Sequence, residues 1–152
     1  MASWSEIESE APELAKRAHA FLDGHTHLTI ATLRKDGSPR ISGTEIQMRD
    51  GEIYFGSMWK GVKALDLLRD PRFAIHSGSK DPDDGWAGDA KIAGTAIEDD
   101  EAKEARREQG EEDYHLFRAD ITELVVVGLN EERTKMVIES WHPGRGVERR
   151  ER

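Results

Sequence analysis

The residues most able to do chemistry in this chain are its six histidines, two acid-rich segments and four tryptophans. His25 and His27 flank Thr26, and on a strand residues i and i+2 share a face, so the pair could chelate weakly. No third ligand stands at a metal-site spacing, and no metal is expected. The run Asp81-Pro82-Asp83-Asp84-Gly85 has the acids of a calcium loop. It lacks the ligand alternation and terminal Glu of an EF-hand, so it reads as a solvated loop. His76, His115 and His142 are of the right type for proton transfer near neutral pH, but nothing in the spacing sets one beside a substrate. No catalytic residue is assigned. There is no Cys, which excludes disulfides, thiolate metal sites and cysteine nucleophiles.

The 152 residues carry 22 Lys+Arg against 31 Asp+Glu, a net charge of −9. This length suits one domain, spanning 1–152. An acidic chain without a basic stripe is not expected to bind nucleic acid. No apolar run approaches the length of a membrane span and no targeting signal is visible, so the expected location is the cytoplasm.

The elements that must position these residues follow from periodicity. Residues 4–22 predict a helix, capped by Ser3 or Ser5, with Pro12 making its start irregular. Thr26 to Leu33, Arg40 to Met48 and Glu52 to Ser57 predict three strands, joined by turns at Asp36-Gly37 and Asp50-Gly51. Lys60 to Leu68 predicts a short helix with Val62, Leu65 and Leu68 on one face, stopped by Asp70-Pro71. Phe73 to Ser77 and Ala90 to Ile97 predict strands around a loop at 80–89 that holds Trp86. Glu98 to Asp113 predicts a charged helix with nine acids and three bases, a solvated face. Phe117 to Val127 and Lys135 to Trp141 predict two more strands, followed by an arginine-bearing tail. The expected fold is mainly β: a six- to seven-stranded antiparallel split barrel with flanking helices.

One long stretch carries a family resemblance. Ile30-Ala31-Thr32-Leu33, Asp36-Gly37-Ser38-Pro39-Arg40-Ile41-Ser42, Ile53-Tyr54-Phe55-Gly56-Ser57, Gly61-Val62-Lys63-Ala64-Leu65 and Leu68-Arg69-Asp70-Pro71-Arg72-Phe73 follow in the order of the FMN-binding split barrels. Gly94-Thr95-Ala96 resembles their fifth strand. The chain is similar to the pyridoxamine 5'-phosphate oxidase-like superfamily, which includes flavin and deazaflavin oxidoreductases. The resemblance implies a homodimer with FMN in a groove between subunits and a small-molecule substrate beside it. Ser57 and Lys63 would contact the FMN phosphate. A strand-end hydroxyl, helix N–H groups and a Lys one turn in suit a dianion. Arg40, Ser42 and Thr44, on one face at period two, would lie along the flavin. Met58, Trp59 and Lys60 would touch the cofactor, and Trp141 and Arg145 resemble a C-terminal pair that reaches flavin in some relatives.

The segment Arg40-Ile41-Ser42-Gly43-Thr44-Glu45 lacks the Lys of the Arg-x-x-Leu-Lys strand in pyridoxamine 5'-phosphate oxidase itself. Oxidation of vitamin B6 is therefore not expected. The same fold also serves deazaflavin (F-420) reductases and non-enzymatic flavin- or haem-binding proteins, and these stay open as alternatives.

Overall fold

The computed structural model describes residues 2–152. Ser3 opens helix α1 (Trp4–Glu10) with a reciprocal cap: its Oγ accepts the Glu6 N–H and its own N–H reaches the Glu6 carboxylate. The single predicted helix is two, because Pro12 starts α2 (Pro12–Asp23) at the position where a missing N–H costs nothing.

The strands are β1 (Leu28–Leu33), β2 (Pro39–Thr44), β3 (Ile46–Arg49), β4 (Glu52–Met58), β5 (Arg72–His76), β6 (Asp89–Glu98), β7 (Tyr114–Leu129), β8 (Met136–His142) and β9 (Gly146–Glu151). Helix α3 (Val62–Arg69) follows β4, and α4 (Asp100–Arg106) follows β6. Among the described residues they form one antiparallel, nine-stranded sheet in which the order β2-β1-β5-β6-β7-β4-β3 runs edge to edge, with β8 and β9 continuing from β7. The sheet is not closed. The strands at the two ends of that order, β2 and β3, are consecutive in the chain, separated by Glu45. The predicted strand Arg40 to Met48 is therefore two strands that belong to opposite edges, and the split of the barrel opens at Thr44-Glu45-Ile46.

Two local features set the register. Asp50 and Gly51 both have positive φ, 54° and 75°, as a tight β3–β4 hairpin requires. Gly94 sits at a bulge between β6 and β7, where any Cβ would collide with the Asp120 carbonyl; only glycine permits that approach. The core gathers Ile30, Ile53, Phe55, Phe73, Ile92, Phe117 and Leu124 inside the sheet, with α1 and α2 covering one end.

Other expectations are corrected. The charged helix predicted over 98–113 ends at Arg106, and the rest is a loop with Gly110 at φ 84°. The tail after His142 contributes a further strand: Pro143-Gly144-Arg145 is the turn of the β8–β9 hairpin. The strand count is nine rather than six or seven. The face of α3 that carries Val62, Leu65 and Leu68 does not pack on the barrel. These residues are 54%, 46% and 52% exposed, while Ala64 and Leu67 turn inward. Periodicity locates an apolar face and leaves open what covers it. Among the described residues no helix is long and apolar enough to cross a membrane.

Candidate functional site

A groove of about 730 Å³ opens at the split, a size suited to a cofactor or small ligand. Its floor is the outer face of β3, β4 and β7. Period two puts Tyr54, Gly56 and Met58 of β4 on that face, and the ladder sets Leu116 beside Gly56 and Tyr114 beside Met58. Gly56 carries no side chain, so the middle of the floor is flat. A Cβ there would find only the His115 carbonyl oxygen, at 3.4 Å.

One wall is the end of β2 with Lys63 of α3. The Lys63 ammonium lies 3.3 Å from the Gly43 carbonyl oxygen and 3.4 Å from Thr44 Oγ1. It makes no ion pair among the described residues, and burial lowers its pKa. A desolvated ammonium with only neutral partners favours an added anion. Ser57, which also lines the groove, turns its hydroxyl to the Met58 carbonyl oxygen and keeps lone pairs free. The opposite wall is Arg106, whose guanidinium sits 4.1 Å from the centre of the Tyr54 ring. Arg106 Nη1 is buried and has no hydrogen-bond partner among the described residues. His27 and Glu45, 3.6 Å apart, stand at the mouth.

The groove thus brings together four of the residues that the resemblance set at the cofactor: Thr44, Ser57, Met58 and Lys63. Arg40, Ser42 and Thr44 do share one face of β2. Arg40, however, is committed elsewhere: its Nε donates to the Asp66 carboxylate at 2.7 Å. Asp66 is only 2% exposed and also accepts from Thr32 and Arg69. Burial raises its pKa, and the bonds from Arg40, Thr32 and Arg69 outweigh that, leaving it below the usual carboxylate range. Ser42 pairs with Ile30 in the β1–β2 ladder and does not line the groove.

Trp59 and Lys60 occupy the turn between β4 and α3. Trp59 stacks on His115, and the Lys60 N–H is bonded to the same ring. Trp141 is 1% exposed in the core, with its indole N–H on Glu10 at 2.9 Å, and Arg145 is in the β8–β9 turn. Neither lines the groove of its own chain.

Sequence reasoning did not single out Tyr54, Gly56, Arg106 or Tyr114 for the site. Gly56 had a signal, a glycine inside a strand. Arg106 had none, because its position over Tyr54 depends on how α4 packs.

Residues 14–130 match the family model described as pyridoxamine 5'-phosphate oxidase, and the chain belongs to that family. Among the solved structures that share its fold are three with these similarities. PhzG from Burkholderia lata 383, in complex with tetrahydrophenazine-1-carboxylic acid, is 12% identical, with 98% of this chain and 92% of that one covered and a TM-score of 0.66. A pyridoxamine 5'-phosphate oxidase-related, FMN-binding protein from Nostoc punctiforme is 13% identical, with 100% and 98% covered and a TM-score of 0.60. An F-420 reductase is 18% identical, with 70% and 94% covered and a TM-score of 0.52. Identities this low speak to the fold. Among curated proteins none matches the sequence.

Proposed function

We propose that this protein is an FMN-binding oxidoreductase that acts, as a homodimer, on a small organic molecule in the groove at the split. The observation that carries the reading is Lys63: a desolvated ammonium on the groove wall with only neutral partners, beside the Ser57 hydroxyl. The residues present fit a phosphate-bearing flat cofactor. Lys63 and Ser57 would hold the phosphate, and the bare backbone of Gly56 leaves room for a planar ring. When bound, FMN supplies hydride or electron transfer, and the chain supplies binding, orientation and charge. The cation of Arg106 would stabilise negative charge in the groove.

The homodimer is supported by the apolar face of α3. Val62, Leu65 and Leu68, with the neighbouring Met58 and Trp59 and with Ile41 of β2, all present large apolar side chains to solvent. Such a patch suits an isologous contact with a second copy.

One observation favours a second reading. The groove carries Arg49 and Arg106 in addition to Lys63, and none of the three forms an ion pair among the described residues. Cations beyond one phosphate site suit a longer anionic tail, as in the deazaflavin F-420, which would restrict the chemistry to hydride transfer. No comparable observation favours haem.

The test is an absorption spectrum of the purified protein, with mass spectrometry of any small molecule released on denaturation, followed by titration with FMN. FMN near one per subunit is the expected result, and turnover with a reduced nicotinamide would then establish an enzyme. Deazaflavin would select the second reading, and a protein that takes up neither would overturn both.

A further inference from the structure

A buried histidine outside the groove wall contacts the turn that leads into α3. His115 of β7 lies opposite Ser57 in the β4–β7 ladder and is 4% exposed. Its ring is held on three sides. Nδ1 is 3.3 Å from the Glu98 carboxylate of β6. Nε2 is 3.2 Å from the backbone nitrogen of Lys60. The Trp59 indole lies on its face, with ring centres 4.6 Å apart and planes 10° apart. The backbone N–H of Lys60 can only donate, so Nε2 must offer its lone pair. The ring proton then sits on Nδ1 and is given to Glu98.

The turn held in this way is under constraint. Gly61 closes it with an N–H to the Met58 carbonyl oxygen at 2.9 Å. Lys60 takes φ 55°, a left-handed conformation that residues with a Cβ rarely adopt. Gly61 packs so closely that a Cβ would lie 2.7 Å from Ser57 Oγ. Two residues later comes Lys63. The turn therefore fixes both Ser57 and the start of α3. Neither His115 nor Glu98 lines the groove, so they can act on it only through the turn. The other charged group close by is Lys103 of α4, 5.8 Å over the Trp59 ring and bonded to Asp113 at 3.0 Å, so it does not compete for Glu98.

We infer that His115 is a positioning residue for the anion cradle of Ser57 and Lys63. By accepting the Lys60 N–H and stacking on Trp59 it locks the strained turn that presents both groups to the groove, and Glu98 fixes its tautomer. This rests on the reading of that groove as the cofactor site.

Two substitutions separate this role from simple core filling. Gln in place of His115 sets an amide oxygen near the Nε2 position, within reach of the Lys60 N–H. Asn reaches only the Nδ1 position and leaves that N–H unpaired. The experiment measures amide hydrogen exchange at Lys60 and Gly61 in the full-length protein by NMR, and FMN affinity by fluorescence quenching, for wild type, His115→Gln and His115→Asn. Melting curves confirm that each variant is folded.

The expected result is that Gln keeps protection at Lys60 and keeps FMN affinity within about threefold. Asn loses the protection and binds FMN at least about tenfold more weakly, because the Lys60 N–H that holds the turn loses its acceptor. Asn matching wild type in both readouts would overturn the assignment, and so would equal losses in Gln and Asn. Exchange needs no ligand. If wild type failed to bind FMN, the cofactor reading would fall, and the exchange contrast would still decide whether His115 holds the turn.

Discussion

The Arg40 guanidinium and the Asp66 carboxylate meet at 2.7 Å beneath α3. This pair removes the first arginine of the second hairpin strand from the groove and makes it part of the scaffold. Asp66 is completed by Thr32 of β1 at 2.8 Å and Arg69 at 2.9 Å. The cluster ties α3, which carries Lys63, to the β1–β2 hairpin, so the stiffness of that groove wall depends on it.

Asp66→Ala is expected to destabilise the protein by about 3 kcal/mol, because two guanidinium groups lose a buried partner. In melting temperature this is a drop on the order of 10 °C. Arg40→Ala costs less, since Thr32 and Arg69 still satisfy Asp66. The folded-state pKa of Asp66 is lowered. Its stabilisation is therefore present above the ordinary aspartate pKa and is lost as pH falls through the folded value. Denaturant melts of wild type and Asp66→Asn across the acid range should converge at the low end; parallel curves would contradict this.

Lys63→Ala should weaken FMN binding by about tenfold to a hundredfold, the scale of a charged hydrogen bond, with thermal stability unchanged or slightly raised. Burial makes the ammonium costly to fold. Between its lowered pKa and the ordinary lysine value the folded state binds fewer protons than the unfolded one, so this group makes stability rise with pH there. Anion affinity runs the other way and falls as Lys63 loses its proton. Fluorescence titrations of FMN from neutral to alkaline pH check it, and a flat profile would separate Lys63 from the anion.

Gly56→Leu is expected to abolish FMN binding while leaving the fold intact. The new side chain enters the groove, and its Cβ meets only the His115 carbonyl oxygen at 3.4 Å. Loss of cofactor with a melting temperature within about 2 °C of wild type, the range for a surface change, supports the floor assigned here. Unchanged binding would move the planar ring elsewhere.

Leu65→Glu, alone or with Leu68→Glu, should halve the solution mass seen by light scattering at micromolar concentration. Both side chains are about half exposed in the single chain, so the monomer has no reason to unfold. Charges on an isologous apolar contact face their own copies. A wild-type protein already monomeric at that concentration would remove the homodimer from the proposal.

What the sequence determined by itself is short-range. Ser3 with Glu6, Pro12, Asp50-Gly51 and the period-two set Arg40, Ser42 and Thr44 all encode their geometry in neighbouring residues. Backbone sterics and capping act over a few positions, which is why the mainly β plan was legible, and the ordered motifs from Ile30 to Phe73 made the family legible too. The tertiary structure alone decided which side chains meet. Trp141 lies against Glu10, 131 residues away, and Arg40 against Asp66, 26 away. Arg106 covers Tyr54, and His115 reaches the turn before α3. It also decided that the Val62-Leu65-Leu68 face points outward and that one predicted strand spans the split. The physical reason is that periodicity states which residues share a face, while the path of the chain through a folded core sets what that face touches.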